Sequence, residues 1–346
     1  MKALKSLMIM ICCTVLVACI DVDERSDSRD GNYDALWTIM DEHYCYFDYK
    51  KTEYGLDWNN VYAKYKGRAD TVKTVIEQFD VFSDMLDELR DGHVNLVSDF
   101  NFYRYWDWKE GYPENFSDSI LRRYIGTDYY MAGGLKYCIL RDSIAYLRCE
   151  SFSSSFSENN LSYALFLMSE CPALILDLRN NGGGNLTLAE RLSSRFTEEK
   201  ILTGYMRHKT GKGHSDFSNY EARYIEPSSG VRWTKPIIVL TNRGVFSAAN
   251  ECVNELRCCP NVTVVGDRTG GGGGLPFTSE LPNGWTVRFS ACPMYDKNKK
   301  DIEFGIEPDY KVDITSDDYQ KGVDTILEFA FEYIINILRN GHKYRP

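Results

Sequence analysis

Apolar residues recur at helical spacing in the first part of the chain, over residues 33–47, 58–65 and 72–90. These three stretches predict a small helical subdomain over residues 31–91. The third helix is expected to end at Asp91-Gly92, because glycine adopts the left-handed conformation that ends many helices. His93 follows, and residues 94–97 alternate as a strand does, so His93 is predicted to lie between a helix and a strand.

Short apolar runs and helical segments alternate through the rest of the chain. Strands are predicted at residues 137–140, 144–149, 173–178, 200–209, 222–233, 236–241, 262–265, 277–281 and 285–291. Helices are predicted at residues 161–168, 186–196 and 322–339, and one more begins after Ser247. This alternation is typical of an α/β fold, so residues 92–346 are expected to form one core. The aromatic-rich residues 100–130 are expected to be a long, partly buried loop.

The N-terminus has the pattern of an export signal. Lys2 and Lys5 are followed by an apolar run over residues 7–17, which is too short to span a bilayer as a helix. The run ends in Leu16-Val-Ala-Cys19, which resembles the bacterial lipobox and implies removal of residues 1–18 and lipidation of Cys19. An ordinary signal peptide with an incidental cysteine is the alternative. The acidic residues 19–30 are expected to form a disordered tether.

On this reading the mature protein is anchored by acyl chains in the bacterial cell envelope. The expected site is the outer membrane, at its periplasmic or its cell-surface face.

Composition argues against several classes of function. The 346 residues have a formal net charge of −10 and no basic stripe, which is not the pattern of a nucleic-acid-binding protein. The cysteines after Cys19 follow no metal-ligand spacing, so no metal or cofactor is expected. Cys138 and Cys149 flank a predicted hairpin and could pair. The glycines at residues 182–184 lack the Gly-Lys-Ser/Thr ending of a phosphate loop.

Three features together could supply the nucleophile, the oxyanion hole and the base that acyl transfer requires. Ser247 follows the strand at residues 236–241 and opens a helix, where amide groups carry partial positive charge and can hold a nucleophile or an oxyanion. The three glycines at residues 182–184 let the backbone point N–H groups at a ligand. His93 could serve as the base. Taken singly, Ser247 could be only a helix cap and His93 only a structural residue.

Five segments, taken in order, resemble the C-terminal processing (tail-specific) peptidase family. They are Asp91-Gly-His93 and residues 176–184, 242–251, 266–271 and 305–309. The order and spacing cover nearly the whole chain after the signal peptide. The resemblance implies a crotonase- or ClpP-like α/β core joined to an N-terminal helical subdomain, and serine endopeptidase activity on peptide or protein substrates.

The resemblance also implies roles for individual residues of the acyl-transfer step. Ser247 matches the nucleophile, and the N–H of Ala248 matches one donor of the oxyanion hole. The other donor would be Gly183, with Gly182 and Gly184 as the remaining candidates.

The family has two arrangements for the base, and only one fits this chain. A catalytic lysine would fall at residues 270–274, which are all glycine. The other branch, similar to the tricorn protease core, implies His93 as base and Glu303 as the late glutamate, with Glu307 as the fallback. A serine that precedes the histidine in that branch is replaced by Gly92.

Only about forty residues separate Leu96 from Gly134, too few for the PDZ domain that the family often inserts there. The core itself would then select the substrate, or selection would be absent. Two other functions remain open at this point. One is a lipid-anchored protein that binds peptides or other ligands without catalysis, and the other is an esterase or amidase for small substrates.

Overall fold

The computed structural model describes residues 26–141 and 143–340. The signal peptide, Cys19 and most of the expected tether lie outside the described residues. Within them, no helix has both the length and the apolar character that crossing a bilayer requires.

Four helices, rather than the three predicted, form the N-terminal part. They are α1 (Arg29–His43), α2 (Phe47–Tyr54), α3 (Trp58–Ala69) and α4 (Val75–Asp87). The first predicted helix is interrupted because the amide of Cys45 donates to the carbonyl of Ser290 at 3.0 Å, in the neighbouring sheet. The helical part also begins earlier than predicted, since the Ser28 side chain caps α1 by accepting from Gly31.

The rest of the chain forms two sheets together with the helices that connect and cover them, which confirms the predicted α/β class. The first sheet has the strand order β13-β10-β9-β6-β5-β4-β3. Its strands are β3 (Tyr130–Ala132), β4 (Leu135–Leu140), β5 (Ile144–Cys149), β6 (Leu174–Asp177), β9 (Ile237–Thr241), β10 (Val262–Gly266) and β13 (Tyr310–Lys311). From β5 to β13 the pairing is parallel, as expected where helices connect the strands.

The second sheet is antiparallel and has the order β2-β1-β12-β7-β8, with β11 also paired to β12. Its strands are β1 (Asn95–Val97), β2 (Phe102–Arg104), β7 (Ile201–Met206), β8 (Glu221–Ile225), β11 (Gly274–Glu280) and β12 (Thr286–Asp296). The helices α1 to α4 pack against this sheet in one hydrophobic cluster with Val287 and Phe289.

Helices cover both faces of the first sheet. They are α5 (Asp118–Ile125), α6 (Glu158–Leu167), α7 (Leu186–Ser193), α8 (Ala248–Leu256), α9 (Ser316–Lys321) and α10 (Thr325–Asn340). Side chains of α6, α7 and α8 pack in one core, and side chains of α5 and α10 pack in another. The closing helix begins at Thr325 rather than at residue 322, because Gly322 ends α9 in a left-handed conformation with φ of 73°.

The prediction that residues 100–130 form one loop was wrong in part. This segment contains β2, a short 3₁₀ helix at Asp107–Lys109 and the helix α5. Only Ile120 and Leu121 of α5 are buried, so its apolar signal is short and was hidden among aromatic residues. The Cys138–Cys149 pair does not form, because Cys138 lies opposite Tyr146 and both thiols are free.

Candidate active site

Ser247 lies at the corner where β9 leads into α8. Its backbone has φ of 57° and ψ of −124°, a conformation that costs free energy in residues with a side chain and is concentrated at functional sites. The residue occupies the N-cap position, but its side chain makes no capping hydrogen bond. Instead, Ser247 Oγ lies 2.8 Å from His93 Nε2. The simpler interpretation, a serine that only caps a helix, does not describe this geometry.

His93 lies between α4 and β1, as the sequence predicted, and is 2% exposed. Its ring packs on Phe246 at a centroid distance of 4.9 Å, and Phe246 in turn stacks on Trp108 at 4.3 Å. Trp108 comes from the aromatic-rich segment, which therefore seals one side of the Ser247–His93 pair. A Cβ atom at Gly92 would lie 2.7 Å from Trp108 and 2.9 Å from Phe246. This crowding explains why glycine precedes the histidine here.

Asp91 is the acidic residue in contact with His93. Its Oδ1 accepts the backbone N–H of His93 at 2.7 Å, and its Oδ2 accepts from the hydroxyls of Tyr44 and Ser290 at 3.0 and 2.8 Å. Burial alone would raise the pKa of Asp91, but Lys50 and His93 hold that pKa below its usual value. Asp91 was not predicted as a functional residue, although its position two residues before His93 was a usable signal.

Burial lowers the pKa of the His93 imidazole to about 4. The charge of Asp91 opposes this shift, whereas the nearby charges of Arg288 and Arg104 add to it. The ring is therefore neutral near pH 7 and can accept a proton from Ser247 through Nε2. Among the described residues, Nδ1 has no hydrogen-bond partner.

Glu303 contacts Lys50 and backbone, and not the imidazole of His93. Its Oε1 is 3.2 Å from Lys50 Nζ, and its Oε2 accepts the amide N–H of Gly273 at 2.9 Å. Lys50 also donates to the carbonyl of Arg90, and its side chain is fully buried. Burial, together with the charge of Asp91, raises the pKa of Glu303 to about 8. The residue matched to the late glutamate therefore contacts Lys50 and backbone, and among the described residues it makes no hydrogen bond to the imidazole.

The fallback residue Glu307 is not part of the site. Its side chain is 66% exposed, and its Oε1 lies 3.4 Å from Arg268 Nε.

The glycine loop packs directly against the corner that carries Ser247. At Gly183, where φ is 94°, a Cβ atom would come within 2.6 Å of the Phe246 carbonyl oxygen and 2.9 Å of the Ala248 nitrogen. Ala248 is the first residue of α8, so its N–H has no acceptor within the helix. The Gly183 N–H, by contrast, donates to Asn181 Oδ1 at 3.0 Å. The glycine loop thus lies where an oxyanion hole would form, but the amide of Gly183 already donates to Asn181.

Two clefts lie near the corner that carries Ser247, and the first of them is lined by Ser247 itself. A cavity of about 370 Å³ lies beside Ser247 and Ala248, and Gly184 is on its wall. Most of its other lining side chains are apolar, and Arg288 and Glu251 are charged. A second cleft of about 740 Å³ includes Gly182 and several aromatic and basic side chains: Trp106, Trp108, Tyr112, Phe246, Arg104 and Arg243.

In the described part of the chain, no group of three or more His, Cys, Asp or Glu residues could hold a metal ion.

A serine hydrogen-bonded to a buried neutral histidine, beside a glycine loop, defines a site of the serine hydrolase class. Comparison with known proteins gives the family. The family description "Peptidase family S41" matches residues 143–312, and "Tricorn protease C1 domain" matches residues 26–87. The chain belongs to peptidase family S41, a family of serine peptidases.

A solved structure from Parabacteroides merdae ATCC 43184, described as that of a peptidase, is 51% identical in sequence. The match covers 89% of this chain and 97% of that one, with a TM-score of 0.85. The structure of mature CPAF shares the fold at 14% identity and a TM-score of 0.67, covering 91% of this chain and 99% of that one.

Two curated relatives are described as carboxyl-terminal processing proteases. The carboxyl-terminal-processing protease of Synechocystis sp. is 29% identical over 174 residues, which are 49% of this chain and 38% of that protein. The carboxy-terminal processing protease CtpA of Bacillus subtilis is 30% identical over 148 residues, 42% of this chain and 29% of that protein. The chain therefore aligns with less than half of the length of these relatives.

Proposed function

We propose that this protein is a serine endopeptidase of the C-terminal processing type, with Ser247 as nucleophile and His93 as general base. The observation that carries the proposal is the 2.8 Å contact between Ser247 Oγ and His93 Nε2, which joins residues 154 positions apart in the sequence. A serine in hydrogen-bond contact with a neutral histidine is the arrangement that nucleophilic catalysis requires.

In the proposed mechanism, His93 Nε2 takes the hydroxyl proton of Ser247 as Oγ attacks the carbonyl carbon of a peptide bond. The resulting oxyanion is held by the N–H of Ala248 and by an amide of the glycine loop. The imidazolium then gives its proton to the leaving amine, and the C–N bond breaks. Water, deprotonated by His93, hydrolyses the acyl-enzyme and returns Ser247 to its starting state.

The amide that completes the oxyanion hole is assigned to Gly183, because this residue approaches Ser247 and Ala248 most closely. Asn181 would have to release that amide when substrate binds. Gly184, on the wall of the cavity beside Ser247, is the second candidate, and Gly182 is the third.

Asp91 is proposed as the group that positions His93 and stabilises the imidazolium. Its carboxylate holds the backbone of His93, and its charge favours the protonated ring. Glu303 and Lys50 would act indirectly: the positive charge of Lys50 keeps Asp91 ionised, and Glu303 holds Lys50 in place. The core is proposed to be of the crotonase or ClpP type, in the branch similar to tricorn, without a PDZ domain. Substrate selection then falls to the clefts beside Ser247.

The non-catalytic alternative has one observation in its favour. The hydrogen bond from Gly183 to Asn181 occupies a donor that an oxyanion would need. A peptide-binding protein without turnover would show this arrangement permanently, whereas an enzyme would show it only without substrate.

Cleavage of a denatured protein substrate by purified wild type, Ser247→Ala and His93→Ala separates these functions. The proposal expects turnover by wild type and its loss, by about four orders of magnitude or more, in both variants. Ser229→Ala, at an exposed serine, is the matched control and should retain activity. Turnover that survives Ser247→Ala would contradict the proposed nucleophile. Substrate binding without any turnover would support the binding protein, and turnover of small esters alone would support the esterase.

We also propose that the chain is lipidated at Cys19 and held in the bacterial cell envelope, at the periplasmic or cell-surface face of the outer membrane. The lipobox-like sequence is the support for this. Metabolic labelling with an alkyne fatty acid tests it: wild type should take up label and sediment with membranes, and Cys19→Ala should do neither. Labelled Cys19→Ala protein would contradict the assignment.

A further inference from the structure

Arg288 lies on the wall of the cavity beside Ser247 and is only partly buried. It belongs to β12, where its backbone is paired with Asn95 of β1 on one side and with Thr278 of β11 on the other. Across the described residues, its guanidinium makes no hydrogen bond and no ion pair. The residue is therefore held in position by two neighbouring strands, and its guanidinium feels the negative charge of Asp91 without forming an ion pair with it.

Two arginines in the interior of this protein are paired with carboxylates. Arg179 contacts Asp177 and Asp324 at 2.7 and 2.8 Å. Arg148 lies 3.3 Å from Asp177. Such pairing is expected, since a charge withdrawn from water is costly without a partner. Arg288 departs from this pattern.

A second arginine lies in the same register, since Arg104 of β2 and Arg288 of β12 both pair with Asn95 of β1, the strand between them. Arg104 donates through Nε to the carbonyl of Gly92 at 2.7 Å, and its guanidinium stacks on Trp106 at 4.4 Å. Among the described residues it makes no ion pair. The charges of Arg104 and Arg288 both act on the His93 imidazole. Two arginine charges, opposed by the single charge of Asp91, therefore lie at the reaction centre of a chain whose formal net charge is −10.

The carboxyl group on the same cavity wall does not neutralise Arg288. Glu251 is 3% exposed, and its Oε1 lies 3.6 Å from Arg223 Nε. Its Oε2 accepts from Asn254 at 3.4 Å. Burial raises the pKa of Glu251 to about 7, so a large fraction is uncharged at neutral pH. The rest of the wall is mainly apolar, with Leu186, Leu275 and Met294 among its residues.

We propose that Arg288 binds a carboxylate of the peptide substrate next to the scissile bond, with Arg104, in register across β1, adding attraction. This inference rests on the proposed function, because it assigns substrate selection to the same site. A guanidinium offers two parallel N–H donors that match a carboxylate, and the bond is stronger where water is excluded. The carboxylate could belong to a Glu or Asp side chain or to a free C-terminus, and both have the same chemistry.

Binding of this carboxylate would also act on the base. A negative charge beside Arg288 and Arg104 offsets the two positive charges that depress the pKa of His93. In the complex with an acidic substrate, the imidazole would then be a stronger base than in the free enzyme.

The test uses one internally quenched peptide series with matched members. In the first set, Glu, Gln or Lys is placed on either side of the scissile bond, and the Glu and Gln peptides form a matched pair. In the second set, shorter peptides end one residue after the scissile bond, and the free and amidated C-termini form a matched pair. Wild type is expected to cleave the carboxylate member of one pair with a kcat/KM about ten- to one-hundredfold above its neutral partner, the range typical of a charge-assisted hydrogen bond. The pair that shows the preference identifies the source of the carboxylate.

Variants separate Arg288 from the general fold. Arg288→Gln should bring that kcat/KM ratio close to one, Arg288→Lys should keep part of it, and Arg288→Glu should favour the Lys peptide. Arg122→Gln, at an exposed arginine of α5, is the matched control and should keep the wild-type ratio. Thermal unfolding midpoints near wild type show that a lost ratio is not caused by unfolding.

Failure of this inference can be told apart from failure of the proposed function. Binding of the same peptides to the Ser247→Ala protein is measured by fluorescence anisotropy, which needs no turnover. Binding or cleavage that ignores the carboxylate, or a preference that survives Arg288→Gln, would overturn the role of Arg288. Preference in binding without Ser247-dependent cleavage would support Arg288 and contradict the peptidase.

Discussion

Asp91 Oδ1 accepts the backbone N–H of His93 at 2.7 Å, so a buried carboxylate holds the main chain of the candidate base rather than its ring. In the familiar triad, the acid instead accepts from the imidazole Nδ1. Here Nδ1 has no partner among the described residues. Asp91 therefore acts on His93 through position and charge, and this difference has measurable consequences.

Replacing Asp91 by Asn should reduce kcat/KM by about a hundredfold, within the range attributed to general acid–base catalysis. It should also shift the pH profile. Protonation of His93, whose pKa is about 4, sets the acidic limb in wild type, so activity should persist to about pH 5. Because the charge of Asp91 raises that pKa, Asp91→Asn should move the limb to lower pH.

The measurement is the pH dependence of kcat/KM for both proteins, with Asp84→Asn, at a half-exposed aspartate, as control. An unchanged acidic limb in Asp91→Asn would contradict the electrostatic role, even if activity fell.

The buried contact between Lys50 and Glu303 should contribute to stability. Lys50 supplies the positive charge that offsets the burial of Asp91 and Glu303, so Lys50→Met should lower the free energy of unfolding by about 3 kcal/mol. The double variant Lys50→Met with Glu303→Gln should lose less than the sum of the two single variants. Chemical denaturation of all four proteins measures this coupling, and strict additivity would contradict it.

Adjacent glycines of the loop should respond differently to alanine. At Gly183 the positive φ and the Phe246 carbonyl 2.6 Å from an added Cβ predict a loss of at least about 1–3 kcal/mol. At Gly182 an added Cβ meets no atom within 4 Å, so stability should stay within about 0.5 kcal/mol of wild type. Denaturation midpoints provide the measurement. Equal effects at the two positions would show that the loop does not pack as described.

The buried carboxyl of Glu255 should make the stability of the protein depend on pH, independently of catalysis. Burial, followed by the charge of Glu251, raises the pKa of Glu255 from 4.5 to about 8. Between these values the folded state holds a proton that the unfolded state has lost, so stability falls as the pH rises. Glu255→Gln removes this dependence, and its stability relative to wild type should increase from pH 5 to pH 9.

Glu198→Gln, at an exposed glutamate, is the control for Glu255. A stability difference between Glu255→Gln and wild type that does not change with pH would contradict the buried, proton-holding carboxyl.

The corner at Ser247 was predictable because its signals are local. β9 consists of four apolar residues followed by Thr241, all of them buried, and the residues after it open a helix. The three consecutive glycines likewise marked a close approach of backbone, which occurs at Gly183. The predicted β4–β5 hairpin and most strands were recovered for the same reason.

The surroundings of His93 were not predictable, because they depend on contacts between distant segments. Lys50 and Glu303 meet across 253 positions, and nothing in the local sequence of Lys50 marks it as buried. The break between α1 and α2 is imposed by the Ser290 carbonyl of another element. Periodicity reports which face of an element is apolar, and it carries no information about such long-range hydrogen bonds.

The central claim, that Ser247 is a nucleophile activated by His93, is tested most directly by covalent labelling with a fluorophosphonate probe, followed by mass spectrometry. We predict one label per chain, located on Ser247, absent in Ser247→Ala and strongly reduced in His93→Ala. Folded wild-type protein that stays unlabelled while a known serine protease in the same tube is modified would contradict the claim.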